Sequence, residues 1–129
     1  MSNNLSISSF AIELSKVPVI SRGATLKEAL DKMTEFRLGI ALIVDSDEHL
    51  IGVLTDGDLR RLLLTRQSPL PALLITPAIE FGSRKPRSID SGASVEEAKS
   101  LMLESEIWDL PILGPNKKLL GLVHRHSLK

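Results

Sequence analysis

The residues best suited to chemistry in this chain follow a strand-length apolar run, Leu50–Leu54. Thr55, Gly57 and Asp58 begin a helical pattern there, so they should surround a helix N-terminus, where backbone amides and the helix dipole favour an anion. The Thr55 hydroxyl could bind a phosphate oxygen, Gly57 would let a ligand approach the backbone, and Asp58 could accept hydrogen bonds from a ribose diol. Capping of the helix by Thr55 or Asp56 explains the same spacing, so both interpretations stay open.

The chain also contains an internal duplication. Residues 20–59 match residues 89–128 without a gap, at a constant offset of 69. Each copy alone is too small for a generous core, so we expect the two copies to share one core. Identical pairs include Ile20/Ile89, Gly23/Gly92, Glu28/Glu97, Met33/Met102, Ile43/Ile112 and Gly52/Gly121.

The second copy does not keep the chemistry of the first. His124 stands at the position of Thr55, and Ser127 stands at that of Asp58. A serine replaces a diol-binding carboxylate poorly, so we expect one full-strength site per chain. His124, Arg125 and His126 could present positive charge to a phosphate. A metal site is disfavoured, because adjacent side chains diverge and no carboxylate or cysteine is near in sequence.

Each copy is predicted to run strand, helix, strand, turn, strand, helix. Capping-box sequences at 25–28 and 94–97 predict two helix starts. A further helix should begin near Thr55 and bury Leu59, Leu62 and Leu63. The predicted strands are Val17–Ile20, Ile40–Val44, Leu50–Leu54, Leu110–Leu113 and Leu119–Val123.

The segment between the copies is a connector with four prolines, in which the run Leu73-Leu74-Ile75 is expected to pack against the fold. At the other end, Lys129 aligns with Arg60, inside the last helix of the first copy. We therefore expect a last helix that is truncated in its first turn, in a chain cut near a domain boundary.

Composition narrows the possible functions. The chain has 43% hydrophobic residues, and its 16 basic and 16 acidic side chains cancel. One Trp, three Phe and no net charge argue against a nucleic-acid partner. The absence of cysteine excludes disulfides and thiol catalysis and fits a reducing cytoplasm. No apolar run has the length of a membrane span, so we expect a soluble cytoplasmic protein without a membrane partner.

These features resemble a tandem cystathionine-β-synthase (CBS) domain pair, or Bateman module, through the paired units, the connector length and the Gly-x-x-Thr-x-x-Asp pattern at Gly52, Thr55 and Asp58. The resemblance spans Leu14 to Leu128. It implies an α/β (α+β) fold of two pseudo-symmetric β-α-β-β-α units packed through their sheets. The first repeat would cover 14–66, the connector 67–86 and the second repeat 87–129.

In the CBS family, adenine nucleotides (AMP, ADP, ATP, sometimes S-adenosylmethionine) bind in clefts between the units. The resemblance implies that Thr55 holds the phosphate, with Gly57 beside it, and that Asp58 holds the ribose. No catalytic cofactor is implied, only a nucleotide effector. The base would lie against largely backbone groups near Lys16, Val17, Ala41 and Leu42.

The chain itself should not be an enzyme, because its three histidines have no evident nucleophile and no glycine-rich phosphate loop is present. The segment 55–61 resembles CBS pairs attached to sugar-1-phosphate nucleotidyltransferases or arabinose-5-phosphate isomerases. With Met1 as the natural start, the order favours a nucleotidyltransferase following Lys129. The alternatives are the regulatory part of an isomerase and a ligand-free module for dimerisation or docking. Leu59, Leu62, Leu63 and Leu64 also predict a homodimer.

Overall fold

The computed structural model describes residues 6–128, which form two compact units. One unit is the continuous stretch Val17–Pro86, which holds the first repeat and the connector. The other joins the segment ending at Lys16 to the chain from Arg87 onward. The units therefore divide the chain differently from the repeats.

The described chain alternates short strands with helices. The strands are β1 (Ile12–Glu13), β2 (Val19–Ser21), β3 (Ile40–Val44), β4 (Leu50–Thr55), β5 (Ile89–Asp90), β6 (Asp109–Leu113) and β7 (Leu119–His124). The α-helices are α1 (Leu26–Phe36), α2 (Asp56–Thr65), α3 (Leu70–Leu74) and α4 (Val95–Ser105). Short 3-10 segments cover Ile7–Phe10, Leu14–Lys16, Ala78–Glu80, Pro115–Lys117 and Arg125–Leu128. Within residues 6–128, no helix has the length and apolar character needed to cross a bilayer.

The continuous unit is built on a three-stranded sheet in the order β2-β3-β4. β2 runs parallel to β3, and β3 pairs antiparallel with β4 through the hairpin loop 45–49. The predicted strand Val17–Ile20 begins later in the structure, at Val19, because Pro18 has no backbone N–H to donate to a ladder. Its carbonyl instead accepts a hydrogen bond from Leu42 N at 2.8 Å.

The discontinuous unit has a four-stranded sheet in the order β1-β7-β6-β5. Its last three strands repeat the topology of the other sheet, with β5 parallel to β6 and β6 antiparallel to β7. The additional strand, β1, comes from the N-terminal segment and pairs antiparallel with β7. Sequence patterns gave no indication of this pairing.

The backbone confirms the duplication in detail. The register of the antiparallel hairpin shifts between Ile43 and Val44 in the first copy, and between Ile112 and Leu113 in the second. Helices α1 and α4 both end at a left-handed residue, Arg37 (φ 56°) and Glu106 (φ 55°). These features recur at the same offset as the sequence matches.

Both predicted capping sites start helices. The Thr25 hydroxyl accepts from the backbone of Glu28 at 3.2 Å, and the Ser94 hydroxyl accepts from the backbone of Glu97 at 3.1 Å. In α4 the Glu97 carboxylate also accepts from Ser94 N at 3.2 Å, which completes the reciprocal capping box.

Each unit is completed by the segment that precedes the other repeat. In the discontinuous unit, Ile7 N donates to Ala93 O at 2.8 Å, and the Ile7 side chain is fully buried. In the continuous unit, Ala78 N donates to Ala24 O at the same distance, and Ala78 is likewise buried. The two leading segments are thus exchanged between the repeats.

Within each unit, buried side chains form a core cluster of their own. The exchanged segments help each unit to bury enough apolar surface. The cluster of the continuous unit comprises Ile20, Ala24, Leu26, Ala29, Met33, Ala41, Ile43, Leu54, Leu62, Leu73 and Ala78. That of the other unit comprises Ile7, Ala93, Ala98, Met102, Leu110, Ile112, Val123 and Leu128.

Three finer expectations also need correction. Leu63 is 67% exposed, because one helical step of about 100° carries it away from the face on which Leu62 is buried. In the connector, Leu73 packs as expected, but Ile75 lies past the end of α3 and is exposed. After β7 the chain forms the 3-10 segment Arg125–Leu128, and Lys129 lies outside the described residues.

Candidate functional site

The end of β4 and the start of α2 form a junction, Thr55–Asp58, which we call the first junction. The Thr55 hydroxyl accepts from Asp58 N at 3.3 Å. The Asp58 carboxylate returns the contact through Oδ2, which accepts from Thr55 N at 2.9 Å and from the Thr55 hydroxyl at 3.1 Å. Thr55 and Asp58 therefore form a complete capping box, the structural alternative to a ligand site.

The other carboxylate oxygen of Asp58 pairs with Arg61, one turn further along α2. The Asp58 side chain is only 12% exposed, whereas that of Arg61 is 66% exposed. The carboxylate is thus held in one orientation on its Oδ2 side. On its Oδ1 side, its partner is an exposed arginine that water can replace.

The first junction is fixed by strand pairing and by the helix that follows. Thr55 lies opposite Ile40 in the hairpin, and Asp56 N donates to Gly39 O at 3.0 Å. Leu62, in the second turn of α2, is buried in the core cluster. A methyl group added at Gly57 would lie 3.6 Å from the nearest side-chain atoms, which belong to Thr55 and Arg61, so packing does not itself require glycine there.

The four residues expected to contact the base of a nucleotide do not all lie in the same unit. Val17, Ala41 and Leu42 lie in the same unit as the first junction, and their side chains are buried. Only their backbone groups could therefore meet a ligand, and Leu42 N is already bonded to Pro18 O. Lys16 belongs to the other unit, where its exposed ammonium lies 3.8 Å from Glu13.

The equivalent point of the second repeat, His124–Ser127, is called the second junction. The end of its strand matches the first, since Arg125 N donates to Trp108 O at 2.8 Å, as Asp56 N does to Gly39 O. The chain then continues as a 3-10 segment instead of an α-helix. The side chains of the two junctions differ completely. His124 Nδ1 lies 2.8 Å from Asp109 Oδ1, and Ser127 is exposed.

The second junction gathers an aromatic cluster that sequence reasoning missed. The ring centroids of His124 and His126 are 4.8 Å apart with planes at 87°, and that of Trp108 lies 5.8 Å from His126. The Arg125 guanidinium lies 4.9 Å from the Trp108 ring centroid. The repeat alignment held one signal, because Trp108 and Asp109 replace Gly39 and Ile40 directly across the hairpin.

An apolar groove of about 400 Å³ lies beside the second junction. It is lined by Met102 and Leu103 of α4 and by His126 and Leu128. The lining is mainly apolar and also includes Lys99 and Arg125. The groove does not include the residues predicted to bind nucleotide.

A third cluster lies in the hairpin loop between β3 and β4, where Asp45, Asp47 and His49 bring their ligand atoms within 4.8 Å of one another. Asp45 Oδ1 accepts from the backbone of Asp47 and of His49, both at 2.9 Å. The bond from His49 N chiefly lowers the pKa of the Asp45 carboxyl, and the side chain of His49 adds to this. The contacts are those of a tight polar turn.

Comparison with known proteins now assigns the fold to a class. The chain matches the CBS domain twice, over residues 11–65 and 78–129, and so belongs to the CBS domain family as a tandem pair. It is 34% identical over 118 residues to an uncharacterised protein of Helicobacter pylori and 29% identical over 112 residues to a probable arabinose 5-phosphate isomerase of Haemophilus influenzae. It spans about a third of the length of these relatives.

Two solved structures illustrate the shared fold. The crystal structure of CBSX2 in complex with AMP superposes with a TM-score of 0.82, covering 95% of this chain and 92% of that one at 21% identity. A CBS domain pair in complex with 5′-methylthioadenosine and S-adenosyl-L-methionine gives a TM-score of 0.81, covering 97% and 93% at 14% identity. The mixed α/β architecture expected from the resemblance is thereby confirmed.

Proposed function

We propose that this CBS pair is a regulatory module that binds an adenine nucleotide at the first junction. The observation that carries the proposal is the convergence of a hydroxyl, a glycine amide and a carboxylate on the N-terminus of a ten-residue helix. The nucleotide-bound neighbours in the same fold support an adenosine ligand. Thr55 would bind the phosphate, and Asp58 the ribose diol.

The capping box is compatible with this role because a carboxylate offers about four lone-pair sites. Oδ2 of Asp58 is used by Thr55, and Oδ1 is paired only with the exposed Arg61. A ribose diol would take Oδ1 from Arg61, and the released guanidinium would remain beside a phosphate at the helix N-terminus. The cap would hold the carboxylate in place while the ligand exchanges.

Gly57 gives the proposal a test that separates binding from folding. A methyl group there fits without a clash, and alanine is the better helix former, so Gly57→Ala should leave stability unchanged or slightly raised. The same methyl group would stand between a phosphate and the backbone amide. We therefore expect weaker nucleotide binding in a protein that folds normally.

Calorimetric titration with AMP, ADP and ATP tests these roles. Asp58→Asn keeps one oxygen for the cap but removes the charge, and should weaken the preferred nucleotide by about 1.5–3 kcal/mol. Glu97→Gln is the matched control, because it makes the same change in the capping box of α4. Unchanged affinity in folded Asp58→Asn and Gly57→Ala variants would exclude the first junction as the site.

The competing function is a CBS pair that binds no ligand and serves only dimerisation or docking. A thermal-shift screen with adenine nucleotides, sugar nucleotides and sugar phosphates separates the two. A ligand at 100 times its dissociation constant should raise the free energy of unfolding by about 2.7 kcal/mol. No shift with any of these compounds would favour the docking module.

We infer that the module regulates an attached enzyme by binding its ligand with different affinity in two conformations of that enzyme. A sugar-1-phosphate nucleotidyltransferase following Lys129 is one candidate. An arabinose-5-phosphate isomerase is the other, and the relative in Haemophilus influenzae favours it. Reading the coding sequence on both sides of these 129 residues decides between them.

Self-association as a homodimer is the last element of the proposal. Adjacent leucines on α2, Leu63 and Leu64, are 67% and 78% exposed, and such apolar surface favours an interface. Sedimentation at micromolar concentration should show a dimer that Leu64→Glu shifts toward monomer. A monomeric parent at millimolar concentration would contradict it.

A further inference from the structure

Two of the three histidines of the chain converge at the second junction. His124 ends β7 and His126 lies in the 3-10 segment that follows, so the turn brings together side chains two residues apart. Their ring centroids are separated by 4.8 Å. This convergence removes the first sequence argument against a metal site, which assumed that the side chains point apart.

The separation suits a shared ion. Imidazole nitrogens bind zinc-like ions at about 2.0–2.1 Å in tetrahedral geometry, which places the centres of two ligating rings about 5 Å apart. His126 is exposed and His124 is partly exposed, so an ion can reach both rings from solvent.

The second sequence argument, the lack of a nearby carboxylate, also fails in the fold. Strand pairing sets Asp109 directly opposite His124, and Asp109 Oδ1 lies 2.8 Å from His124 Nδ1. A carboxylate in this position fixes the tautomer of a metal-ligating histidine and raises its basicity. It leaves Nε2 of His124 as the nitrogen that can bind a metal.

We propose that His124 and His126 bind one divalent transition-metal ion of the zinc, nickel or copper class. His124 Nε2 and one ring nitrogen of His126 are the protein ligands, Asp109 orients His124, and water fills the remaining positions. The positive charge of Arg125, held over Trp108, opposes the ion, so the affinity is below that of a four-ligand structural zinc site. The site is separate from the nucleotide proposal, since it uses no residue of the first junction.

The chain supplies its own reporter and its own control. Trp108 is the only tryptophan, and its ring centroid lies 5.8 Å from that of His126 and 6.5 Å from that of His124. A paramagnetic Cu²⁺ ion at the histidines therefore quenches its fluorescence. The third histidine, His49, lies in the 45–49 turn with Asp45 and Asp47, so His49→Gln tests the competing cluster.

The test is a Cu²⁺ titration of the parent chain followed by Trp108 fluorescence, with Mg²⁺ as the control ion. Nitrogen sites prefer Cu²⁺ over other first-row ions, whereas Mg²⁺ requires oxygen ligands. We expect saturable quenching by Cu²⁺ alone. His126→Gln should abolish it, and Asp109→Asn should raise the apparent dissociation constant about 10–100-fold. His49→Gln and Asp58→Asn should leave the titration unchanged.

His126 is exposed, so its variant keeps the test valid even if substitution of His124 or Asp109 disturbs the strand; circular dichroism checks each fold. The proposal is overturned by any of three results. These are no saturable quenching in the parent, quenching that survives in folded His126→Gln, and quenching that is lost in His49→Gln.

Discussion

The two junctions share their strand pairing but differ in nearly every side chain and in the helix that follows, an α-helix at the first and a 3-10 segment at the second. Both are reached by an antiparallel hairpin in the same register and held by one bond across it, from Asp56 N to Gly39 O and from Arg125 N to Trp108 O. The first junction then carries a hydroxyl and a carboxylate, whereas the second junction carries imidazole and indole rings. Duplication has preserved the scaffold and left its exposed turn free to acquire different chemistry.

The side chains have changed in matched pairs. A methyl group at Gly39 would clash with the Asp56 carboxylate, so the first junction has no room for a side chain there unless Asp56 moves. In the second copy Trp108 occupies that position, and the residue equivalent to Asp56 is Arg125, whose guanidinium lies over the indole. A substitution that transfers a residue from one copy to the other at either position therefore requires the matching substitution at the second position.

The largest expected effect is a loss of stability when the packing of α2, the helix that follows the first junction, is weakened. Leu62→Ala removes a side chain that is 6% exposed in the core cluster, and should lower the free energy of unfolding by about 2–5 kcal/mol. Leu63→Ala is the neighbouring control, and its cost should stay below about 0.5 kcal/mol. Urea unfolding measures both. Equal costs would mean that α2 packs through a different face.

The second prediction addresses the contrast between the junctions directly. We expect the preferred nucleotide to titrate with about one equivalent per chain. The double variant Thr55→Val/Asp58→Asn should lose more binding free energy than Asp58→Asn alone, on the order of 3 kcal/mol or more, because two contacts to charged groups are removed. His124→Gln/Ser127→Ala should change the affinity by less than about twofold, that is, less than about 0.4 kcal/mol. Two equal sites in the parent would show that the junctions are functionally equivalent.

The third prediction compares the capping box at the first junction with the capping box at the start of α4. Thr55→Ala and Ser94→Ala each remove the hydroxyl of a complete capping box, so each should cost about 1 kcal/mol of stability. Chemical unfolding of the two variants in parallel gives the comparison. A Thr55→Ala variant that loses no stability would show that the first box forms at the expense of other interactions.

The smallest effect concerns acid sensitivity, in which the two hairpin loops should differ. Asp45 has a lowered pKa because backbone N–H groups bind its carboxylate, whereas the matching loop 114–118 contains no acidic residue. A lowered folded-state pKa adds stability that is fully present above the ordinary Asp value of about 3.9 and is lost as the pH falls through the folded value. Asp45→Asn should therefore lower the melting temperature at pH 7, and the difference from the parent should narrow below about pH 4.

Melting curves from pH 7 to pH 3 measure this difference. Asp47→Asn is the control, because Asp47 takes part in the same turn through its backbone N–H. A gap between Asp45→Asn and the parent that widens in acid would contradict the assignment.

The sequence patterns correctly predicted the elements that are specified by residues close together in the chain. The alternation of apolar runs gave β3 and β4, and the caps at Thr25 and Ser94 gave the starts of α1 and α4, since these elements are specified by neighbouring residues. The duplication predicted their recurrence. The fold class followed from the same features.

Contacts between residues distant in sequence could not be predicted in this way. The partner of His124 is Asp109, which only the strand register brings close, and Ile7 is buried by residues that follow it by more than half the chain. At the first junction the sequence could not distinguish a helix cap from a ligand site. A capping box and a phosphate–ribose site need the same residue types at the same spacing, and neither use excludes the other.

Because the leading segments are exchanged, the two units have all of their segments available at different times during synthesis. The continuous unit, Val17–Pro86, can complete its core once Pro86 has left the ribosome. The segment with Ile7 and β1 is made before that unit, yet β7 and Ala93, to which it binds, are made after it. At about 5–20 residues per second, its apolar side chains wait for seconds without their partners. The segment with Ile7 and β1 therefore meets its partners only after the whole continuous unit has been made.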